Sequence, residues 1–298
     1  MKSKVRLLSE LLNQEGIIVA PGAYDALSAK LIEWAGFPAV YLSGAAVSAS
    51  LIGYPDVGLL SFSEMLGHAQ KVIQAVKIPV IVDADTGYGN AINVIRTVRE
   101  FEQIGAAAIH LEDQAFPKRC GHLEDKKLIS IAEMVKKVEA ALYARSDPDF
   151  IIIARTDARA LYGLDEAIRR GRTYYQAGAD VIFIEALDGE EEIRRVAESI
   201  EAPLLINLGG GGKTPMLSVR HLEKLGFKIA IYPGDLQKSA IKVMQELLLS
   251  LKANGTTEEM ASRMVTFEER FELLGLEEIR QLEDRFLIKE RATQEEKQ

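Results

Sequence analysis

Short apolar runs rich in β-branched residues recur along the chain, each ending in polar or small residues. They read IIVAPGA (17–23), AVYLSG (39–44), VIVDAD (80–85), AAIHLED (107–113), FIIIARTD (150–157), VIFIEA (181–186), LLINLG (204–209) and KIAIYP (228–233). Near-continuous apolar runs of this length suit parallel strands covered on both faces. Between them lie segments with helical spacing. SFSEMLGHAQKVIQAV (61–76) opens on Ser61 or Ser63 as N-cap, and NVIRTVREFEQIG (93–105), LDEAIRRGRTYYQAG (164–178) and SVRHLEKLG (218–226) each end on glycine. Eight strands alternating with helices predict an α/β fold, a (β/α)8 barrel. The rival, an open doubly wound sheet, wants a G-x-G-x-x-G first turn, and APGAYDALS does not supply it.

After residue 233 the pattern turns all helical. LQKSAIKVMQELLLSLKANG (236–255) reads as one long helix, TTEEMASRMVTFEERFELLG as a second capped by Thr256 or Thr257, and LEEIRQLEDRF closes the ordered part before a frayed tail, ERATQEEKQ. The expected division is a barrel over 1–255 and a helical arm and tail over 256–298. From pattern alone the extra helices suit either a lid under the barrel or an arm packing on another subunit.

Composition narrows the function classes. At 48% hydrophobic and 27% charged, the chain has an ordinary globular make-up. The net charge is −8 and no basic stripe stands out, which argues against nucleic acid as a partner. No apolar run reaches the length of a membrane span, and the first residues lack the apolar core of a signal peptide. One cysteine, Cys120, makes no internal disulfide. A reducing cytoplasm is therefore the expected setting.

In a (β/α)8 barrel the strand C-termini face the active site. Here they deliver Tyr41, Ser43 and Gly44, then Asp83 and Asp85, His110, Glu112 and Asp113, Arg155 and Asp157, Glu185, Asn207 and Tyr232. Any single strand-terminal aspartate, Asp113 or Asp157 included, has helix capping as an equally good explanation. The set is harder to dismiss. Asp83, Asp85, Glu112 and Glu185 would repel one another unless a cation sat among them. No Cys/His cluster accompanies them, so zinc is disfavoured. Oxygen donors with room for water suggest Mg2+, with Mn2+ as the substitute. Arg155 offers a fork for a carboxylate. The combination suits a small hydroxy- or oxo-acid.

Cys120 lies in EDQAFPKRCGHLEDKK (112–127). Lys118, Arg119 and His122 around it are expected to favour the thiolate, and a thiol so tuned can exchange a proton with carbon near neutral pH. Gly121 lets the segment move, while Pro117 stiffens its entry. The plain alternative is an exposed charged loop with an incidental cysteine.

With these residues in view, the chain resembles the isocitrate lyase/phosphoenolpyruvate mutase superfamily, and within it the methylisocitrate lyase-like group. YLSGAA, GYPDVG, VDADTGYG, HLEDQAFPKRCGH, ARTDA and EA look like that family's blocks in that family's order, over roughly residues 15–235. The K-[KR]-C-G-H loop is the more specific marker, separating the carbon–carbon lyases from the phosphonate mutases. The resemblance implies a barrel whose eighth helix is swapped between subunits, giving a homotetramer built as a dimer of dimers. It implies Mg2+ at Asp83 and Asp85, supported by His110 and Glu112. It implies substrate contacts from Tyr41, Ser43, Gly44, Ala45, Arg155, Glu185 and Asn207. Cys120 is implied as acid/base on a gating loop that includes Lys118, Gly121 and His122. The implied reaction is cleavage of a 2-hydroxy di- or tricarboxylate to pyruvate plus succinate or propionate.

The sequence also departs from that pattern. Asn207 is followed by LGGGGKTP, so glycines stand where methylisocitrate lyases have a threonine and a glutamate. Lys238 stands in place of an arginine after the strand-eight YP block, and Phe267 in place of another in the C-terminal segment. Fewer cationic anchors favour a smaller dicarboxylate such as 2,3-dimethylmalate over a tricarboxylate. Oxaloacetate decarboxylation or hydrolysis and phosphonate chemistry of the same superfamily are the alternatives. The GGGGKT run (209–214) is no P-loop, because position 207 is asparagine.

Overall fold

The computed structural model describes residues 2–287 except 122, 124, 211 and 213. His122, Gly211 and Lys213 therefore lie outside the described residues, as does the tail beyond residue 287. The chain forms two compact units, Met1–Lys242 and Val243–Gln298, so the division falls within the helix Asp235–Asn254.

In the first unit the eight apolar runs form β1 (Ile18–Ala23), β2 (Val40–Leu42), β3 (Val80–Asp83), β4 (Ala108–Glu112), β5 (Ile151–Thr156), β6 (Val181–Ile184), β7 (Leu204–Asn207) and β8 (Phe227–Tyr232). All pair in parallel, in chain order, and β8 closes on β1. The anticipated barrel is the observed one. The helices Phe62–Ala75, Ala91–Gln103, Leu164–Gln176 and Val219–Lys224 fall where the 3.6-residue spacing put them. Ser61 and Asn90 cap the first two through capping boxes, satisfying backbone donors that the first turn leaves bare. Helices Ala26–Trp34, Ile131–Ala144 and Gly189–Ser199 complete the alternation.

Side chains alternate across each strand, so residues two apart share a face. Tyr41, Ile81, Ala108, Ile151, Ile153, Val181, Phe183, Leu205, Ile229 and Ile231 form one buried cluster that fills the barrel. Leu8, from the helix Lys4–Asn13, belongs to the same cluster. The opposite faces, with Val40, Val82, Ile109, Ile152, Ile182 and Ile206, join a second cluster shared with the surrounding helices.

In the second unit one expectation is corrected. The stretch expected to be a single helix capped by Thr256 or Thr257 is a 3-10 segment, Glu258–Arg263, followed by a separate helix, Phe267–Leu274. The break comes from Thr266, whose side chain accepts from the Glu269 N–H while Glu269 accepts from the Thr266 N–H. That reciprocal cap starts a new helix. Leu276–Phe286 then forms the last helix, and Phe267 is exposed, with its ring 6.2 Å from that of Phe271.

Candidate active site

The inward parity of the strands carries directly into the polar cluster. Two residues beyond Ile81 comes Asp83, and beyond Ala108 come His110 and Glu112. Arg155 follows Ile153, Glu185 follows Phe183 and Asn207 follows Leu205. A barrel packed by alternate apolar residues thus ends, at its C-terminal mouth, in a ring of charged side chains. A cavity of about 210 Å³ opens there, lined by Tyr41, Ser43, Ala45, Asp83, Arg155, Glu185 and Asn207 from the strand ends. Asp56, Cys120, Gly121, Gly209, Pro233 and Gly234 from the loops, Ala46, and Gln237 and Lys238 from the first turn of the helix Asp235–Asn254 complete its wall. A larger groove of about 460 Å³ is lined by the outer helices Leu164–Gln176 and Gly189–Ser199 and receives no strand end.

Asp83 anchors one side. It accepts from the Gly44 N–H at 3.1 Å and the Asp85 N–H at 3.0 Å, and its carboxylate stands 3.2 Å from His110 Nε2. His110 Nε2 is also 2.7 Å from the Tyr41 hydroxyl, with the rings 8° from parallel. A Cβ on residue 44 would come within 2.7 Å of Asp83 Oδ2, so glycine is needed there. Ser43 has a structural task, its side chain capping the short helix Gly44–Val47.

Lys118 and Asp56 complete this side. The buried Lys118 ammonium lies 2.6 Å from Asp85 and 2.7 Å from Asp56. Lys118, expected beside the thiol, is ion-paired with these two carboxylates, since a buried acidic pair claims a cation strongly. Burial is the largest influence on Asp83 and would raise its pKa, yet His110, Lys118 and Arg155 together hold it well below the carboxylate range. Burial pushes Asp85 up, Lys118 pulls it back and Asp83 and Asp56 add to the rise, leaving it at about 6.

Arg155 anchors the other side. It contacts Asp157 at 2.9 Å, Glu112 at 3.4 Å and Glu185 at 3.4 Å, and its guanidinium lies over the Phe183 ring. Asn207 donates to both Glu185 oxygens at 3.3 Å. Neither Asp113 nor Asp157 caps a helix through its side chain. Asp113 accepts from Thr156, Arg170, Tyr174 and the Asp157 N–H, and Asp157 accepts from Arg155 and Lys126.

Cys120 reaches the cavity from the β4 loop. Its N–H donates to the Asp56 carbonyl at 3.0 Å, Gln114 brackets Arg119 through two hydrogen bonds, and Arg119 itself is exposed. Asp56, Gln237 and Lys126 escaped the sequence reading. They lie on loops and a helix start, where no period-2 pattern marks an inward side chain.

Among the described residues, no three acidic, His or Cys side chains converge into a protein-only metal cage. The donor set still fits Mg2+, which is commonly held by one or two carboxylates with water and substrate filling the rest. Both oxygens of buried Glu112 accept no hydrogen bond, and burial holds this carboxyl well above the usual range. A nearby cation with its water shell would satisfy it.

A closed parallel barrel thus gathers carboxylates, an arginine and a cysteine around one cavity at its C-terminal mouth. The phosphoenolpyruvate phosphomutase family matches residues 8–252. The chain belongs to this family, within the phosphoenolpyruvate mutase/isocitrate lyase superfamily of enzymes. It is 50% identical over 279 residues to 2,3-dimethylmalate lyase of Eubacterium barkeri, covering 94% of this chain and 96% of that one. It is 46% identical over 269 residues to 2-methylisocitrate lyase of Aeropyrum pernix, covering 90% and 86%. Among solved structures, oxaloacetate acetylhydrolase in complex with 3,3-difluorooxalacetate superposes with a TM-score of 0.90 at 34% identity, over 95% of this chain and 96% of that one. Phosphonopyruvate hydrolase in complex with oxalate and Mg2+ superposes with a TM-score of 0.87 at 34% identity, over 96% and 100%.

Proposed function

We propose that the protein is a carbon–carbon lyase that cleaves a 2-hydroxy dicarboxylate of the 2,3-dimethylmalate type into pyruvate and propionate. The observation that carries this reading is that Cys120 and Arg155 line one small cavity together with Asp83. A proton donor and a carboxylate fork therefore face the same substrate. The 50% identity to a 2,3-dimethylmalate lyase supports the substrate class. So does the cavity wall beyond β7 and β8, where, among the described residues, Gly209, Pro233 and Gly234 accompany the cationic Lys238.

Mg2+ held beside Asp83 and Asp85, with Glu112 and His110 in support, would polarise the 2-hydroxyl and the neighbouring carboxylate. Arg155 and Asn207 bind and orient that carboxylate, and Tyr41 and His110 form the buried wall next to it. The hydroxyl proton passes to the acidic set. The C2–C3 electron pair then moves to C3, C2 becomes the oxo carbon of pyruvate, and the Cys120 thiol delivers its proton to C3. A closed loop keeps water from that carbanion equivalent. We further propose that the enzyme works in the cytoplasm as a homotetramer, with the eighth helix exchanged between copies. Among the described residues, no helix is long and apolar enough to cross a membrane. The helix Asp235–Asn254 buries none of its residues within one chain.

Oxaloacetate cleavage is the second reading, supported by the superposition on oxaloacetate acetylhydrolase. One experiment separates the two. Purified protein with Mg2+ is given 2,3-dimethylmalate, 2-methylisocitrate, isocitrate, oxaloacetate and phosphonopyruvate, and products are identified by mass, with pyruvate release coupled to a dehydrogenase. The expected result is pyruvate and propionate from dimethylmalate, with turnover in Cys120→Ser reduced by about 10²–10⁴-fold and oxalate binding retained. Full activity of Cys120→Ser on dimethylmalate would overturn the assignment of the acid. Oxalate formed from oxaloacetate, with no cleavage of dimethylmalate, would favour the second reading.

A further inference from the structure

The loop that carries Cys120 holds a second buried lysine, Lys126, which stands apart from the reacting groups. Its ammonium makes two bonds. One goes to the carbonyl of Gly121, the residue next to the thiol, and the other goes to Asp157 Oδ1 at 3.1 Å. Asp157 is itself fully buried and accepts from Arg155 through Nε at 2.9 Å and Nη2 at 3.2 Å. Asp157 is thereby shared between the anion fork and the cysteine loop.

This sharing has an electrostatic consequence. Arg155 faces three carboxylates, Glu112, Asp157 and Glu185. A single guanidinium so surrounded has little charge left for a substrate carboxylate. Lys126 brings a second positive charge to Asp157, which relieves Arg155 of part of that load. The same ammonium holds Gly121 against the fork. A Cβ on residue 121 would lie 2.7 Å from Arg155 Nη2 and 2.7 Å from Glu185 Cγ, so the loop backbone packs directly on these two side chains. If the loop swung away and carried Lys126 with it, the buried ammonium would give up its bond to Asp157, and Asp157 would draw Arg155 more strongly to itself.

We infer that Lys126 is a positioning residue: it latches the Cys120 loop over the cavity through the Gly121 carbonyl and, through Asp157, couples that closure to the readiness of Arg155 to accept a carboxylate. The part concerning substrate rests on the lyase reading above. The latch itself does not, and its test needs no turnover.

Cys120 is the sole cysteine, so alkylation by iodoacetamide, followed by intact mass, reports loop opening at one site. The wild type is compared with Lys126→Met, Lys126→Gln and Lys126→Arg, each with and without Mg2+ plus oxalate. Loss of two bonds from a charged donor predicts alkylation about 10–100-fold faster in the Met and Gln variants. Oxalate should protect them much less than it protects the wild type. Lys126→Arg, which keeps the charge and the donors, should stay near the wild-type rate. Circular dichroism melting identifies a variant that does not fold. Using both Met and Gln, with Arg as a rescue, leaves a folded variant to read. Wild-type alkylation rates in folded Met or Gln variants would overturn the latch. If the wild type cleaves none of the hydroxy acids yet alkylation accelerates as expected, the latch stands and the lyase reading falls. If cleavage is observed but kcat is unchanged in a folded Met variant, the coupling to Arg155 is overturned.

Discussion

Lys118 Nζ lies 2.6 Å from Asp85 Oδ1, with both groups buried beside Asp83. The ammonium supplies positive charge where these acidic side chains would otherwise repel one another. Removing one partner of a buried pair costs about 3–5 kcal/mol, because the other charge is left uncompensated. Lys118→Met should therefore lower the melting temperature in EDTA, and Mg2+ should restore much of the loss. Asp85→Asn should abolish the Mg2+-dependent rise. Thermal melts with and without Mg2+ check both. A Lys118→Met protein that melts like the wild type and ignores Mg2+ would remove the charge-compensation account.

Gly121 meets Arg155 and Glu185 with no room for a methyl group. In a tight core an extra methyl costs about 1–3 kcal/mol, but a loop can escape by swinging out. Gly121→Ala should then leave the melting temperature nearly unchanged while kcat/KM falls at least about tenfold, which corresponds to about 1.4 kcal/mol of transition-state stabilisation. Steady-state kinetics beside a melt separates the two effects. Undiminished activity would mean that the loop does not close on the fork.

Asp157 gives an acid-stability signature. Burial, the largest influence, opposes its charge, but Arg155 and Lys126 overcome it and hold the carboxyl below its usual value. The folded state thus binds this proton less readily than the unfolded chain does. The stabilisation is complete above about pH 4, the ordinary aspartate value, and is lost as pH falls toward the depressed folded value. Asp157→Asn should melt lower at neutral pH and lose less stability than the wild type between about pH 4 and pH 2. Parallel acid limbs for the two proteins would contradict the pairing.

Lys238 donates to the Gly210 carbonyl at 2.7 Å on the cavity wall. A lysine there offers a point charge where an arginine would offer a two-pronged grip on a carboxylate. Lys238→Arg should improve kcat/KM for 2-methylisocitrate relative to 2,3-dimethylmalate by about tenfold, the scale of one added charged hydrogen bond. Competition assays with both substrates read the ratio directly. An unchanged ratio would show that specificity is set elsewhere.

The helix Asp235–Asn254 exposes Met244, Leu248 and Leu249. Helix exchange between copies would cover them. Light scattering on the eluting protein should give a tetramer mass, and Leu248→Asp with Leu249→Asp should reduce it. A wild-type monomer would overturn the proposed assembly.

The barrel and most of its mouth were legible along the chain because both follow short-range rules. Alternation at period two sets Ile81 beside Asp83 and Ile153 beside Arg155 whatever the rest of the molecule does. Apolar runs broken by amphipathic segments leave few other ways to bury both faces of a parallel sheet. Capping chemistry is legible at Ser61, whereas the reciprocal cap of Thr266 and Glu269 splits the expected C-terminal helix from within a stretch of continuous helical spacing. Loop partners were not legible at all. Whether Lys118 would serve the thiol or the carboxylates depends on the fold bringing Asp56 and Asp85 to one point, and no local pattern records that. The same holds for Lys126, whose two partners lie 5 and 31 residues away. Periodicity settled which side chains point into the mouth. Tertiary structure alone settled which charges meet there, since a buried charge takes the nearest partner in space rather than in sequence.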